Sequence, residues 1–320
     1  MNTLARKKQQ HGMTLVELMV AITISLTMLA GVVQIFIGNK QTYRVTEELS
    51  RVQENGRFTM DFLAREVRMA DFWGCANAAV DVTNHLNPPN PPNTPAAHPV
   101  NPWANNTIAG ANNTGLNGSD TLTLQGAYGE GIGIVSHALA SATFDLTTVN
   151  HGLDDGDVVI ATDCEKADVI EVTTSNPGTD ATVIAGLGSN NPGFGNNTFP
   201  GAQYNNSGTL YRVKSVTYSI LPGASGEPAL FRNENGNNVE LVEGVQNMQI
   251  LFGEDTDGDL TANRYLPAGA AGLVMNNVVS IRITLTLITL RDLIRSDNTF
   301  GRISRTYTTT ASIRNRLIDN

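Results

Sequence analysis

Three carboxylates stand at alternate positions late in the chain: Asp255, Asp257 and Asp259, with Glu254 beside them. Alternate acids in a loop converge on a hard cation, and calcium is the ion that an all-oxygen set of this kind takes. The EF-hand pattern fails, because Leu260 stands where its glycine belongs and Leu266 where its glutamate belongs. The same residues also suit a solvated Asp-Gly turn between strands, and both readings stay open. A further carboxylate, Glu17, is the only charge between Met13 and Ile37. A carboxylate inside an apolar helix costs about 2.5–3.5 kcal/mol on membrane-insertion scales. A plain anchor gains nothing from that cost. In a packed assembly the carboxylate pairs with the free amino terminus of a neighbour, an attraction strengthened by low dielectric. That chemistry requires a chain start close to Glu17, hence cleavage between Gly12 and Met13.

The remaining reactive residues form no catalytic pattern. The five histidines include no HExxH, and there is no GxSxG elbow, phosphate-binding loop or dinucleotide fingerprint, so no enzymatic activity is expected. Cys75 and Cys164 are the two cysteines and lie in no CxxC pair, which argues against zinc. Beyond a membrane segment, separated cysteines suggest one disulfide in an oxidising compartment; two buried free thiols are the alternative. The formal charge of −9 disfavours nucleic acid as a partner, because phosphate binding needs clustered Lys and Arg.

The elements that position these residues follow from the patterning. The run from Met13 to Ile37 spans roughly 37 Å as a helix at about 1.5 Å per residue, enough to cross a bilayer. Arg6, Lys7 and Lys8 precede it and place the N-terminus in the cytoplasm, with the rest outside. A secretory signal peptide fits less well, because the apolar run is too long and lacks a small-x-small exit. Val45, Leu49, Val52, Gly56, Met60, Leu63, Val67 and Ala70 recur at spacings of three and four, so one helix continues to about residue 70. Glu47, Glu48 and Arg51 are among the residues filling its other positions. Gly31, Gly38 and Gly56 are weak points in it.

Residues 85–118 are rich in Pro, Asn and Gly and predict an extended loop. From residue 120 the pattern turns to β, with strands expected at Thr121–Gln125, Asp157–Asp163, Leu210–Ile220, Gly244–Phe252, Val278–Leu290 and Arg305–Leu317. Turn signals stand at Asp155-Gly156, Pro222-Gly223 and Asn235-Gly236. A long helix followed by antiparallel strands is an α+β architecture. The chain thus divides into a leader 1–12, a membrane or assembly helix 13–37, its amphipathic continuation 38–74, and a β-rich body 75–320 that contains the 85–118 loop.

Gly12-Met13-Thr14-Leu15-Val16-Glu17, with the basic leader before it and the apolar run after it, resembles the class III signal of type IV prepilins. The resemblance implies that a prepilin peptidase cuts after Gly12, that Met13 becomes the methylated first residue, and that Glu17 is the fifth-position glutamate used in assembly. Met13 replaces the usual phenylalanine. It also implies the pilin-like fold, one long N-terminal helix followed by an antiparallel β-sheet domain. Phe-Trp-Gly-Cys at 72–75, the segment DVVIATDCEKADVIEV, then LVEGVQNMQILFG, DTDGD and the final RTYTTTASIRNRL look like the PilW minor pilins, relatives of the J-type minor pseudopilins of type II secretion. What this implies is a subunit that joins other minor pilins and the major pilin at the pilus tip, helps prime assembly, and carries a tip adhesin there. The inner membrane is its location before assembly. The alternatives are a minor pseudopilin of a type II secretion system and a membrane-tethered, calcium-dependent binding module.

Overall fold

The computed structural model describes residues 14–75, 81–86, 107–187, 203–204, 206, 208–234, 236–294 and 299–317. One helix, α1, runs Leu15–Met69. The strands are β1 Asp81–Asn84, β2 Ile108–Ala111, β3 Thr121–Ala138, β4 Thr143–Leu146, β5 Val158–Thr162, β6 Lys166–Glu171, β7 Thr174–Ser175, β8 Thr182–Ile184, β9 Thr209–Pro222, β10 Pro228–Glu234, β11 Asn237–Glu243, β12 Val245–Glu254, β13 Arg264–Leu266, β14 Val278–Ile288, β15 Leu293–Ile294, β16 Phe300–Gly301 and β17 Ser304–Ser312. The architecture is α+β and pilin-like, with the helix first and the sheets after it.

The chain forms two compact units. The first comprises residues up to Arg51 together with Arg291–Ile303. Its helix is exposed along the apolar run, with Leu15, Ile24, Val32 and Phe36 each more than half exposed. This is the one helix among the described residues that is long and apolar enough to cross a membrane. The short strands β15 and β16 pair antiparallel within this unit. Glu48 is buried there, with an oxygen 3.9 Å from Arg291 Nε, although the helical pattern placed it on the wet side. The patterning considered the helix alone and did not see the 291–303 segment.

The second unit comprises Val52–Leu290 and Ser304–Asn320. From Val52 to Ala70 the expected stripe is buried: Val52, Met60, Leu63, Val67 and Ala70 join one core with Ile281, Ile283, Leu285 and Leu287 of β14. Those four alternate with Arg282, Thr284 and Thr286 on the opposite face of a four-stranded sheet ordered β13-β12-β14-β17. Gly56 is required by close approach, since a β-carbon there would lie 2.5 Å from the Tyr307 ring. A second, eleven-stranded sheet runs β1-β6-β5-β9-β3-β4-β8-β7, with β2, β10 and β11 attached to its flanks. Its pairs are antiparallel apart from β1 on β6, which is parallel.

The structure corrects the 85–118 loop at both ends. Leu86 is buried, and Ile108–Ala111 is a strand on β3 with Ile108 fully buried. The prolines of the segment end at Pro102, so Ile108–Ala111 is free to donate to a ladder. Residues 87–106 lie outside the described residues. The last strand also stops early. β17 ends at Ser312 and a 3-10 turn follows at Arg314–Arg316, because the Arg316 guanidinium turns inward to Asp71 Oδ2 at 2.5 Å, the Met275 and Val278 carbonyls at 2.6 and 2.8 Å, and Thr107 Oγ1 at 2.9 Å. Next to it Asn315 Nδ2 donates to the Ala70 carbonyl, and Asp71 takes a left-handed conformation that closes the helix.

Candidate functional site

Gly12 and Met13 lie outside the described residues, and the site begins at Thr14. The Thr14 amide and hydroxyl donate to Glu17 Oε2 at 3.0 and 3.1 Å, and the Glu17 amide donates to Thr14 Oγ1 at 3.3 Å. This is a capping box: threonine and the glutamate three residues on satisfy each other's otherwise orphaned amides. The threonine-x-x-glutamate spacing was present in the sequence as the signal for it. The carboxylate also suits the helix N-terminus because it faces the positive end of the helix dipole. Glu17 thus starts the helix and sets a carboxyl group on an apolar rod. Within that rod Thr23, Ser25 and Thr27 return their hydroxyls to helix carbonyls at 2.9, 2.7 and 2.8 Å, so they leave no unmet donor facing lipid.

Cys75 and Cys164 form a disulfide with their Cα atoms 4.9 Å apart, across a separation of 89 residues. Cys164 sits in the tight turn between β5 and β6 with a left-handed backbone. Asp163 shapes that turn by accepting from the amides of Glu165 and Lys166 at 3.2 and 3.1 Å and from Lys166 Nζ at 2.5 Å. Burial opposes the Asp163 charge, but these donors outweigh it and hold its carboxyl below the usual value. The bridge therefore fastens the segment after α1 to the β5–β6 hairpin.

Nearby, two sequence-distant residues converge on one buried carboxylate. His85 Nε2 lies 2.5 Å from Asp168 Oδ1, and the Tyr204 hydroxyl donates to Asp168 Oδ2 at 2.7 Å. All three are buried. Burial, then the adjacent Asp168 charge, pushes the Tyr204 phenol far above its ordinary value, so it remains a donor. No spacing rule links positions 85, 168 and 204, and sequence reasoning did not find this cluster.

Asp255, Asp257 and Asp259 are brought together, each with a carboxylate oxygen within 4.8 Å of the others. The buried Asp255 organises the loop. Its Oδ1 accepts from the amides of Asp257 and Gly258 at 3.1 and 2.7 Å, and its Oδ2 from Leu260 at 2.8 Å. Burial alone would raise its pKa, but the donors at Gly258, Leu260 and Asp257 reverse the sign and lower it. Asp257 Oδ2 accepts from Asn263 Nδ2 at 3.1 Å, and Asp259 Oδ1 from the Thr261 amide at 2.8 Å. Glu254 stays apart from the cluster: its Oε2 takes Arg264 Nε at 2.9 Å and its Oε1 the Val274 amide at 3.2 Å. The three aspartates are the residues that could hold a hard cation, and the hydrogen bonds alone account for the loop's shape.

Comparison with known families finds two matches. Residues 7–33 match the prokaryotic N-terminal methylation motif, and residues 217–311 match the family of type IV pilus-assembly protein W. The second match spans β12, β14 and nearly all of β17, the strands of the sheet that shares a core with α1. No curated protein and no solved structure matches the chain.

Proposed function

We propose that this chain, a type IV pilus-associated, pilin-like protein of the PilW kind, is a minor pilin that primes pilus assembly and takes its place in the tip complex. The observation that carries the reading is the joining, in one chain, of the methylation motif and its Glu17-bearing apolar helix to a PilW-type sheet packed on the same helix. The prepilin peptidase removes residues 1–12 and Met13 is methylated. The leader stays on the cytoplasmic side and the β-rich body faces the periplasm, where the Cys75–Cys164 bridge forms. The apolar helix then leaves the bilayer for the fibre, and Glu17 meets the amino terminus of a neighbouring minor or major pilin. Two charges of opposite sign there cancel the cost that either bears alone in hydrocarbon. A tip adhesin attaches to the resulting complex. The protein acts by binding and packing, not by catalysis.

The test is co-purification of the chain from piliated cells with candidate minor pilins, alongside pilus counts in a deletion strain. Loss of pili on deletion, with retention of other minor pilins on the chain, is the expected outcome. Normal piliation together with association only with secretion components would place the chain in a pseudopilus instead.

A further inference from the structure

Where α1 ends, the second unit holds a cleft of about 200 Å3 between the last helical turns and strands β3 and β9. The segment after the helix is bonded to β3, the Asp71 amide donating to the Gln125 carbonyl at 2.9 Å and the Ala127 amide to the Phe72 carbonyl at 2.6 Å. Gly126 permits this approach, since a β-carbon there would lie 3.3 Å from the Phe72 backbone. The Phe72 ring is fixed in turn by an edge contact with Tyr211, their centroids 5.9 Å apart. The ladder from β3 to β9 is interrupted between Tyr128 and Ile132, a bulge of the kind that bends a strand beside a site. Met69, Phe72, Ala127 and Val216 give the cleft apolar walls, and Met69 is 56% exposed. Two cations, Arg65 and Lys214, line it as well. Lys214 Nζ lies 5.4 Å from the Tyr128 ring and 3.8 Å from Glu66, whose carboxylate also accepts the Tyr218 hydroxyl at 2.9 Å. Arg65 is exposed and, like Arg68 on the next turn, has no ion-pair partner among the described residues. The one acid lining the cleft is thus already held, and a guanidinium is left over.

We propose that this cleft is a docking pocket for one aromatic side chain with an acidic residue beside it, presented by a different pilin subunit of the tip complex. The room suits a single ring, since a cavity of about 150 Å3 already takes benzene. The Met69 thioether, the Phe72 ring and the Arg65 guanidinium each favour an aromatic group over an aliphatic one. The surplus guanidinium calls for a carboxylate next to that ring, joined to it by a charge-assisted hydrogen bond. A ring seated in a preformed pocket, with a charged pair at its edge, lets a small contact carry much of an interface's binding energy. A second copy of this chain suits the cleft poorly. Among the described residues its exposed rings outside the apolar run are Tyr43, Phe58 and Phe300, and they stand beside Arg44, Arg57 and Arg302, cations that repel Arg65. The identity of the partner rests on the reading of the chain as a minor pilin; the chemistry of the cleft does not.

The test uses the full chain in lipid nanodiscs with isotopically labelled methionine methyl groups, the Met69 signal being assigned with Met69→Leu. Acetyl-Glu-Phe-amide should shift that signal and saturate at about millimolar concentration, as burial of one ring allows. Acetyl-Glu-Ala-amide should leave it in place. Arg65→Glu, first shown to melt as wild type, should weaken the Glu-Phe peptide several-fold and strengthen acetyl-Lys-Phe-amide, a reversal that loss of structure cannot produce. No Met69 shift with the Glu-Phe peptide, an equal shift with the Glu-Ala peptide, or affinities unchanged by Arg65→Glu would overturn the inference. So would a Met69 shift that grows with protein concentration alone, which would give the cleft to a second copy. In cells where the wild-type chain retains other minor pilins, Arg65→Glu should cut that retention several-fold, and unchanged retention would overturn the assignment of the partner. Failure of the pilin reading is distinguishable: the wild-type chain then retains no minor pilin, which removes the partner, while the peptide titration still decides the pocket.

Discussion

The Thr14 amide nitrogen lies 3.0 Å from Glu17 Oε2, so in the isolated chain the Glu17 carboxylate is engaged by its own helix start. In the proposed assembly this bond is shared with, or exchanged for, one to a neighbour's amine. The effect of Glu17 is local, since the core of the second unit begins only at Val52. Glu17→Ala should therefore leave the melting temperature of the β-rich body unchanged while strongly reducing incorporation into pili. Wild-type incorporation in that variant, scored by immunoblot of sheared pili, would remove the role given to this carboxylate.

Processing gives a second expectation. Gly12→Glu places a bulky charge at the cut, and the variant should accumulate as a longer, unassembled precursor. N-terminal mass analysis of the wild-type chain from pili should find methylated Met13 as its first residue; an intact leader in assembled pili would falsify the cleavage assignment.

The Cys75–Cys164 bridge closes a long loop, for which the chain-entropy model gives about 4–5 kcal/mol of stabilisation. The unreduced, denatured chain should show no free thiol, and Cys75→Ser with Cys164→Ser should lower the denaturation midpoint sharply. Two titratable thiols before reduction would contradict the bridge.

Asp255 sets a pH dependence. Its folded pKa lies below that of the unfolded chain, so the unfolded state binds more protons and stability rises with pH across this window. The contribution is complete above the unfolded value near about 3.9 and is lost as pH falls through the lower folded value. Asp255→Asn should flatten the acid limb of the stability curve without moving the limb above pH 7. An acid limb identical to wild type would mean that the loop amides do not discriminate the charged form.

The convergence of Asp255, Asp257 and Asp259 also allows a direct test for calcium. An ion bound only by the folded state raises the melting temperature through RT ln(1 + [L]/Kd). With millimolar calcium the melting temperature should rise, excess chelator should reverse it, and Asp257→Ala should remove the response. A curve indifferent to calcium and chelator would leave the segment as a turn held by its own hydrogen bonds.

The local features of this protein were legible in its residues. The apolar run from Met13 to Ile37, the stripe from Val52 to Ala70 and the alternation of Ile281 to Leu287 each follow from a single period, 3.6 or 2.0, that needs no partner to define it. The cap between Thr14 and Glu17 was not read from the sequence, although the two lie three residues apart on one turn. Short strands such as β7 and β13 were not legible, because few residues give little periodic contrast and their existence depends on a neighbour to pair with.

The tertiary structure alone decided the contacts between residues far apart in the chain. Glu48 looked like a wet helical position until the 291–303 segment covered it. Gly56 looked like a weak point until Tyr307, more than two hundred residues later, required the space. Asp168 gathered His85 and Tyr204, and Arg316 left the expected strand to reach Asp71. A buried charge or donor must find a partner wherever the fold places one. That choice depends on sheet order and strand register, so sequence spacing alone leaves it undetermined.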